Sequence, residues 1–230
     1  MRELTTAVIA LAAGLAGAAI WDYSGIGPDR TRETLLANPE ILPEAMAELQ
    51  RRDMVARIEP IRDELEAAYP GAVLGNPNGE VTLVEFTDYA CSYCRLSLDH
   101  VNALIQENPD LRVVIREYPI LSAGSVDAAR MALAAAEQGK FEEFHNAMFR
   151  GEGVSAADIE NAARVAGMDL SRAQAAIDTG LFDNQLQNNV FLGQNMGLSG
   201  TPAWIVGDQV LSGAVGQEVI GAAIAEARDS

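Results

Sequence analysis

The period of the apolar positions changes several times along the chain, and each change marks an element. Val81-Thr82-Leu83-Val84-Glu85-Phe86 is a short apolar, β-branched run that reads as a buried strand. Between Arg95 and Glu107 the apolar residues Leu96, Leu98, Val101, Leu104 and Ile105 recur near helical spacing. Leu111–Tyr118 returns to a strand pattern and is stopped by Pro119. Strand, helix, strand at this spacing predicts a βαβ unit whose strands are parallel.

Helical patterning then takes over at 126–138, 141–149, 155–166, 171–179 and 182–196, with Ser155 placed as an N-cap. The pattern turns back to β at Thr201–Val206. Gly207-Asp208 reads as a hairpin turn, Gln209-Val210-Leu211 as its partner strand, and Gln217–Ala227 as a terminal helix. Upstream, Pro70-Gly71 and Gly75-Asn76-Pro77-Asn78-Gly79 punctuate the chain, so a compact domain is expected over residues 71–230. Residues 24–70 read as a linker (24–38) followed by a helical arm. Leu42, Met46 and Leu49 form an apolar seam, and Pro60 divides a first helix at Glu44–Arg57 from a second running to about Tyr69. The seam is not a clean heptad repeat. An apolar stripe of this kind needs a surface to cover it, either its own domain or another subunit.

Residues 1–23 carry no charge between Glu3 and Asp22. The run Ala7–Ile20 resembles the apolar region of an export signal, with Ala16-Gly17-Ala18 as a small-residue cleavage site. The rival reading is a retained inner-membrane anchor at residues 4–21, close to the roughly 20 residues a span requires, with Trp21 and Tyr23 at the interface. Either way the remainder would lie outside the cytoplasm, in the periplasm, where disulfides persist. A buried core helix is the third reading.

Composition narrows the partners. Asp and Glu total 33 against 16 Lys and Arg, a formal net charge of −17. Such a chain is repelled by nucleic acid and by anionic membrane surfaces. A hydrophobic fraction of 49% is ample for a buried core.

The candidate chemistry is concentrated in Cys91-Ser92-Tyr93-Cys94, which holds both cysteines of the chain. The motif falls between the strand and the N-terminus of the helix, where unpaired backbone N–H groups and the helix dipole favour a thiolate. Thiol–disulfide exchange needs an accessible thiolate and a second thiol nearby to resolve the mixed disulfide. Cys91 is the candidate nucleophile, Cys94 the resolving thiol one turn further in, and Arg95 adds positive charge. A structural disulfide or half a metal site are the alternatives, but so short a loop constrains the unfolded chain little. A closed zinc site needs four ligands, and only His100 and His145 stand beside the cysteines. Both histidines read as structural, and the methionines are scattered as core filling. No metal and no cofactor are expected. Glu85 is a carboxylate in an otherwise apolar strand. Buried, it demands a partner or a role; strand alternation also allows it to face outward.

Val84-Glu85-Phe86 leading into the Cys-x-x-Cys, the run Phe144-His145-Asn146-Ala147-Met148-Phe149, and Gly200-Thr201-Pro202-Ala203 resemble the DsbA-like disulfide oxidoreductases. The resemblance covers roughly residues 79–228. It implies an α/β thioredoxin fold with an inserted helical domain at about 122–197, here preceded by the N-terminal helical arm. It also implies a cis bond before Pro202 and a Thr201 backbone free to pair with substrate, so that Thr201, Pro202 and Tyr93 form the substrate-binding set. Glu85 matches the acid that exchanges protons with the resolving thiol. Cysteine-containing protein substrates and a membrane redox partner follow from the same resemblance. Ser92-Tyr93 departs from the Pro-His pair of the strong oxidant of the family, which implies a milder oxidant. Residues 35–52 resemble the N-terminal segment of the ScsC and Com1-like subgroup, which implies a homo-oligomer such as a trimer, and shuffling of wrong disulfides. An isomerase or reductase of that type, a copper-binding thiol protein and a peptide-binding module with a vestigial motif remain as alternatives.

Overall fold

A computed structural model of the chain describes residues 2–23 and 28–229. The chain divides into two compact units, Met1–Gln50 and Arg51–Ser230. The first unit is helical: α1 (Arg2–Tyr23), α2 (Pro28–Ala37) and the beginning of α3 (Ile41–Ile58). The stretch 28–37, expected as linker, is thus a helix. Proline at the first helical position loses nothing by lacking an N–H, and Thr31–Ala37 contains no breaker. Positions 24–27 of that linker lie outside the described residues. The retained-anchor expectation finds no support, because among the described residues no helix is long and apolar enough to cross a membrane. Leu36, Leu42, Met46 and Leu49 are all exposed.

The second unit starts at Arg51, well before the Pro70-Gly71 turn where the sequence places its start. The reason is burial. After α3 come a 3₁₀ turn at Glu59–Ile61, carrying Pro60, and α4 (Arg62–Glu66). Ile58 and Leu65 of this segment are each 1% exposed and share a core with Val84, Phe86 and Val114.

Five strands form the sheet: β1 (Val73–Gly75), β2 (Val81–Thr87), β3 (Leu111–Glu117), β4 (Ala203–Val206) and β5 (Gln209–Ser212), in the order β1-β3-β2-β4-β5. The β2–β3 pair is parallel, joined through α5 (Ser92–Glu107), and the other pairs are antiparallel. The three-residue β1 was not expected from sequence. It ends at Gly75, whose φ of +73° favours glycine and where a Cβ would lie 2.7 Å from the Leu111 carbonyl oxygen. The β4–β5 hairpin turns at Gly207-Asp208, with Gly207 at φ +54°.

Between β3 and β4 run α6 (Ala123–Ala136), α7 (Phe141–Arg150), α8 (Ala156–Val165), α9 (Leu170–Asp178) and α10 (Asp183–Asn195); α11 (Gln217–Arg228) closes the chain. Ser155 caps α8 in a reciprocal capping box with Asp158. Strand alternation sorts the sheet's side chains. Leu83, Val113, Ile115 and Trp204 share one core with Leu98, Val101 and Leu104 of α5 and Ile220 of α11. Val84, Phe86, Val114 and Ile205 share the other with Leu65 and with Leu192 of α10.

Arg116 projects to the second face and is 2% exposed. Its guanidinium donates to the carbonyls of Glu64, Leu65 and Ala67 and to Asn189 Oδ1. Asn189 in turn donates to the Glu117 carbonyl at 3.0 Å. One buried cation thus fastens α4 and α10 to the central strands through neutral acceptors.

Candidate active site

β2 delivers the chain to the edge of the helix-covered face, and residues 88–91 turn it into α5. Asp88 organises that turn. Its carboxylate, 1% exposed, accepts N–H groups from Ala90 (2.8 Å), Ile120 (2.9 Å) and Leu121 (3.0 Å). The Asp88 carbonyl accepts the N–H of Cys91 at 2.9 Å. Cys91 then occupies the N-cap position of α5 without capping it through its side chain. Both cysteines are free thiols. Cys91 is 7% exposed and Cys94, one turn along, 0%.

The Thr201–Pro202 peptide is cis, as the family resemblance implies. The Thr201 carbonyl lies 3.2 Å from Cys91 Sγ, which donates to it. Tyr93, within the motif, is 60% exposed. The guanidinium of Arg95 donates to the Gly151 carbonyl at the end of α7.

Glu85 is 2% exposed and faces inward with Leu83 and Thr87, opposite Ile115 on β3 and Trp204 on β4. Burial pushes its carboxyl up to about 8. Burial also raises the Cys94 thiol, and the charge of Glu85 raises it further. Both groups therefore hold their protons more tightly than in water, and an ionised Glu85 makes Cys94 harder still to deprotonate.

Sequence reasoning missed the rest of the enclosure. Glu117, 1% exposed, lies on the same face of β3. Its Oε1 accepts the Tyr89 hydroxyl at 3.0 Å, and that hydroxyl also lies 3.0 Å from Nδ1 of His145 on α7. Burial raises Glu117, aided by the charges of Asp88 and Glu85, and lowers His145 to about 3, so its ring is neutral. His145 is buried as a structural residue was expected to be, but it belongs to this chain of polar groups, packed edge-on against Tyr89 and Phe149 and tilted against Phe141. Among the described residues no group of three or more His, Cys, Asp or Glu side chains is arranged to hold a metal ion.

A cis-proline loop facing two thiols at a helix N-terminus, on a five-stranded mixed sheet with a helical block inserted between β3 and β4, defines a thioredoxin-fold thiol–disulfide oxidoreductase. More narrowly, the chain belongs to the DSBA-like thioredoxin domain family, whose model matches residues 82–225. A second model, the copper resistance protein ScsC N-terminal domain, matches residues 31–54. Among solved structures it is similar to a thioredoxin-like oxidoreductase from Silicibacter pomeroyi, at 39% identity and a TM-score of 0.70 over 74% of this chain and 98% of that one. It is also similar to the thiol-disulfide exchange protein alpha-DsbA2 from Wolbachia pipientis, at 26% identity and a TM-score of 0.72 over 77% of this chain and 97% of that one. Proteus mirabilis ScsC in a transitional conformation matches at 25% identity and a TM-score of 0.66, over 94% of this chain and 97% of that one. The curated relatives are Na(+)/H(+) antiporters, such as NhaA 3 of Salinispora tropica, 28% identical over 178 residues. The match takes in 76% of this chain but only 26% of the antiporter's length.

Proposed function

We propose that Cys91 and Cys94 exchange disulfides with cysteine-containing protein substrates in the periplasm, with the N-terminal segment acting as an export signal. Cys91 attacks the substrate disulfide or carries the disulfide outward. Cys94 resolves the mixed disulfide, and Glu85 takes its proton. Thr201, Pro202 and Tyr93 bind the substrate segment, and a membrane partner restores the redox state. One observation carries the reading: Cys91 Sγ sits 3.2 Å from the Thr201 carbonyl while Cys94 lies fully buried behind it. An attacking thiol must reach solvent and a resolving thiol must not.

The test is trapping. Cys94→Ala should accumulate mixed disulfides with a cysteine-containing substrate through Cys91, and a thiol reductant should release them. Equal trapping through Cys94 in the Cys91→Ala variant would contradict the assignment.

The N-terminal arm supports a second element of the reading. Its apolar residues Leu42, Met46 and Leu49 are exposed, and residues 31–54 match the ScsC N-terminal model. An isolated helix of this length is marginal in water. The partner surface that fits best is another copy of the arm, giving a homo-oligomer whose several active sites face one substrate. That arrangement favours isomerisation of wrong disulfides over simple oxidation.

A further inference from the structure

Glu85 and Glu117 are both buried, on the same face of neighbouring parallel strands. The register pairs Glu85 with Ile115 and Thr87 with Glu117, so the two carboxyls are diagonal neighbours. Strands about 4.8 Å apart and a two-residue offset put their Cα atoms about 8 Å from each other, within reach of two long side chains. The titratable groups facing Glu117 are Glu85 from β2, Asp88 and Tyr89 from the turn, and His145 from α7; Cys94 faces Glu85 from α5. None of them is a cation. Asp88 has three backbone N–H donors for its charge. Glu117 has the Tyr89 hydroxyl on one oxygen and no protein partner on the other. Two further charges cannot both be held in such an enclosure.

We propose that Glu117 is a positioning residue for the resolving step: it shares one negative charge with Glu85, and so sets when Glu85 is free to accept the Cys94 proton. The inference rests on the Glu85 reading above. The Tyr89 hydroxyl makes the sharing possible. With Glu117 ionised, His145 Nδ1–H donates to Tyr89 and Tyr89 donates to Glu117. With Glu117 protonated, the carboxyl donates to Tyr89 and Tyr89 donates to Nδ1. The imidazole stays neutral in both, its proton on Nδ1 in the first and on Nε2 in the second. Every bond in the chain survives either state, so Glu117 can change charge without orphaning a buried partner.

In the resolving step the Cys94 proton passes to the Glu85 carboxylate while Cys94 sulfur attacks Cys91. The Cys91–Cys94 bond forms, the bond from Cys91 to the substrate sulfur breaks, and its electron pair leaves as the substrate thiolate. Glu85 must be ionised beforehand, which requires Glu117 to hold its proton.

The experiment follows the reaction of the full, reduced chain with a disulfide-bonded probe peptide in stopped flow, from about pH 5 to about pH 9. The first phase reports attack by Cys91 and the second resolution by Cys94. Glu117→Gln should move the midpoint of the second phase to lower pH by about one unit, with a plateau within about two-fold of wild type and the first phase unmoved. Tyr89→Phe, which takes from ionised Glu117 its donor, should shift it the same way, and Glu117→Asp should restore it in part. A Glu117→Gln profile that superimposes on wild type overturns the proposal. Should Glu117→Gln not fold, infrared titration of the wild type and Glu85→Gln decides: the remaining buried carboxyl should ionise at lower pH in Glu85→Gln, and an unchanged titration overturns it. A second phase unaffected by Glu85→Gln would instead overturn the underlying relay reading. A second phase slowed by Glu85→Gln but untouched by Glu117→Gln would remove only the role given to Glu117.

Discussion

Glu85 and Cys94 lie in one enclosure, and the charge of Glu85 adds to burial in raising the Cys94 thiol. The carboxyl itself is pushed up to about 8 from an ordinary value of 4.5. The native state therefore binds a proton that the unfolded chain releases. Stability falls as pH rises from about 4.5, and the loss is complete above about 8, on the order of 5 kcal/mol in all. Glu85→Gln removes this dependence. Its urea midpoint should match wild type near pH 4.5 and exceed it increasingly toward pH 8. Parallel curves at all pH values would mean that Glu85 ionises like a free glutamate.

The same substitution should cost rate. General-base assistance contributes typically about 10²–10⁴-fold, so Glu85→Gln should slow resolution of a mixed disulfide by at least about ten-fold above pH 8. Attack by Cys91 should stay nearly unchanged. Equal slowing of both phases would point to a distorted site and not to a lost base.

Asp88→Ala should loosen the active-site turn. The N–H groups of Ala90 and Leu121 lose their acceptor, whereas that of Ile120 keeps the Tyr118 carbonyl, and each unsatisfied buried donor costs about 1–3 kcal/mol. We expect a loss of about 3 kcal/mol or more in denaturant unfolding, together with slower alkylation of Cys91. Asp88→Asn, which keeps one acceptor oxygen, should fall between. Wild-type stability in Asp88→Ala would show that the turn holds itself.

Arg116 tests the opposite face. Arg116→Met leaves the carbonyls of Glu64, Leu65 and Ala67 without their donor, and should cost about 3 kcal/mol or more. Because Arg116 projects away from Cys94, the alkylation rate of Cys91 in the folded variant should be unchanged. A variant that folds normally but alkylates differently would tie the two faces together.

How much of this was legible in the sequence depended on range. The order strand, Cys-x-x-Cys, helix, strand is written in local changes of period, and the Ser155 cap sits beside the helix it starts. β1 was invisible because three residues carry no period; β3, with which it pairs, defines it. The segment 51–70 looked detached because nothing local says that Ile58 and Leu65 end up against Phe86. Glu85 stood out as the lone charge in an apolar run. Glu117 did not, since it follows Arg116 at a strand end where polar residues are ordinary. Only the β2–β3 register reveals that it shares a face with Glu85. The Tyr89–His145 contact spans 56 positions, and no spacing rule reaches that far.

The oligomer reading needs a cut that respects the core. Removing residues up to 70 would take Ile58 and Leu65 with it, so the truncation should end at Gln50. Light scattering on the chain from residue 24 should give an oligomer, and on the chain from residue 51 a monomer. Met46→Glu with Leu49→Glu should mimic the truncation, because it places charge on the exposed stripe. A monomer in every case would remove the oligomer, and with it the reason to favour isomerisation.

The central claim is that Cys91 is the attacking thiol and Cys94 the shielded one. It is tested most directly by alkylating the reduced protein with a sub-stoichiometric reagent near neutral pH and locating the label by peptide mass spectrometry. The account predicts that Cys91 carries nearly all of it until the protein is unfolded, when the two thiols should react alike. Label on Cys94 first, or equally on both in the folded protein, would contradict it.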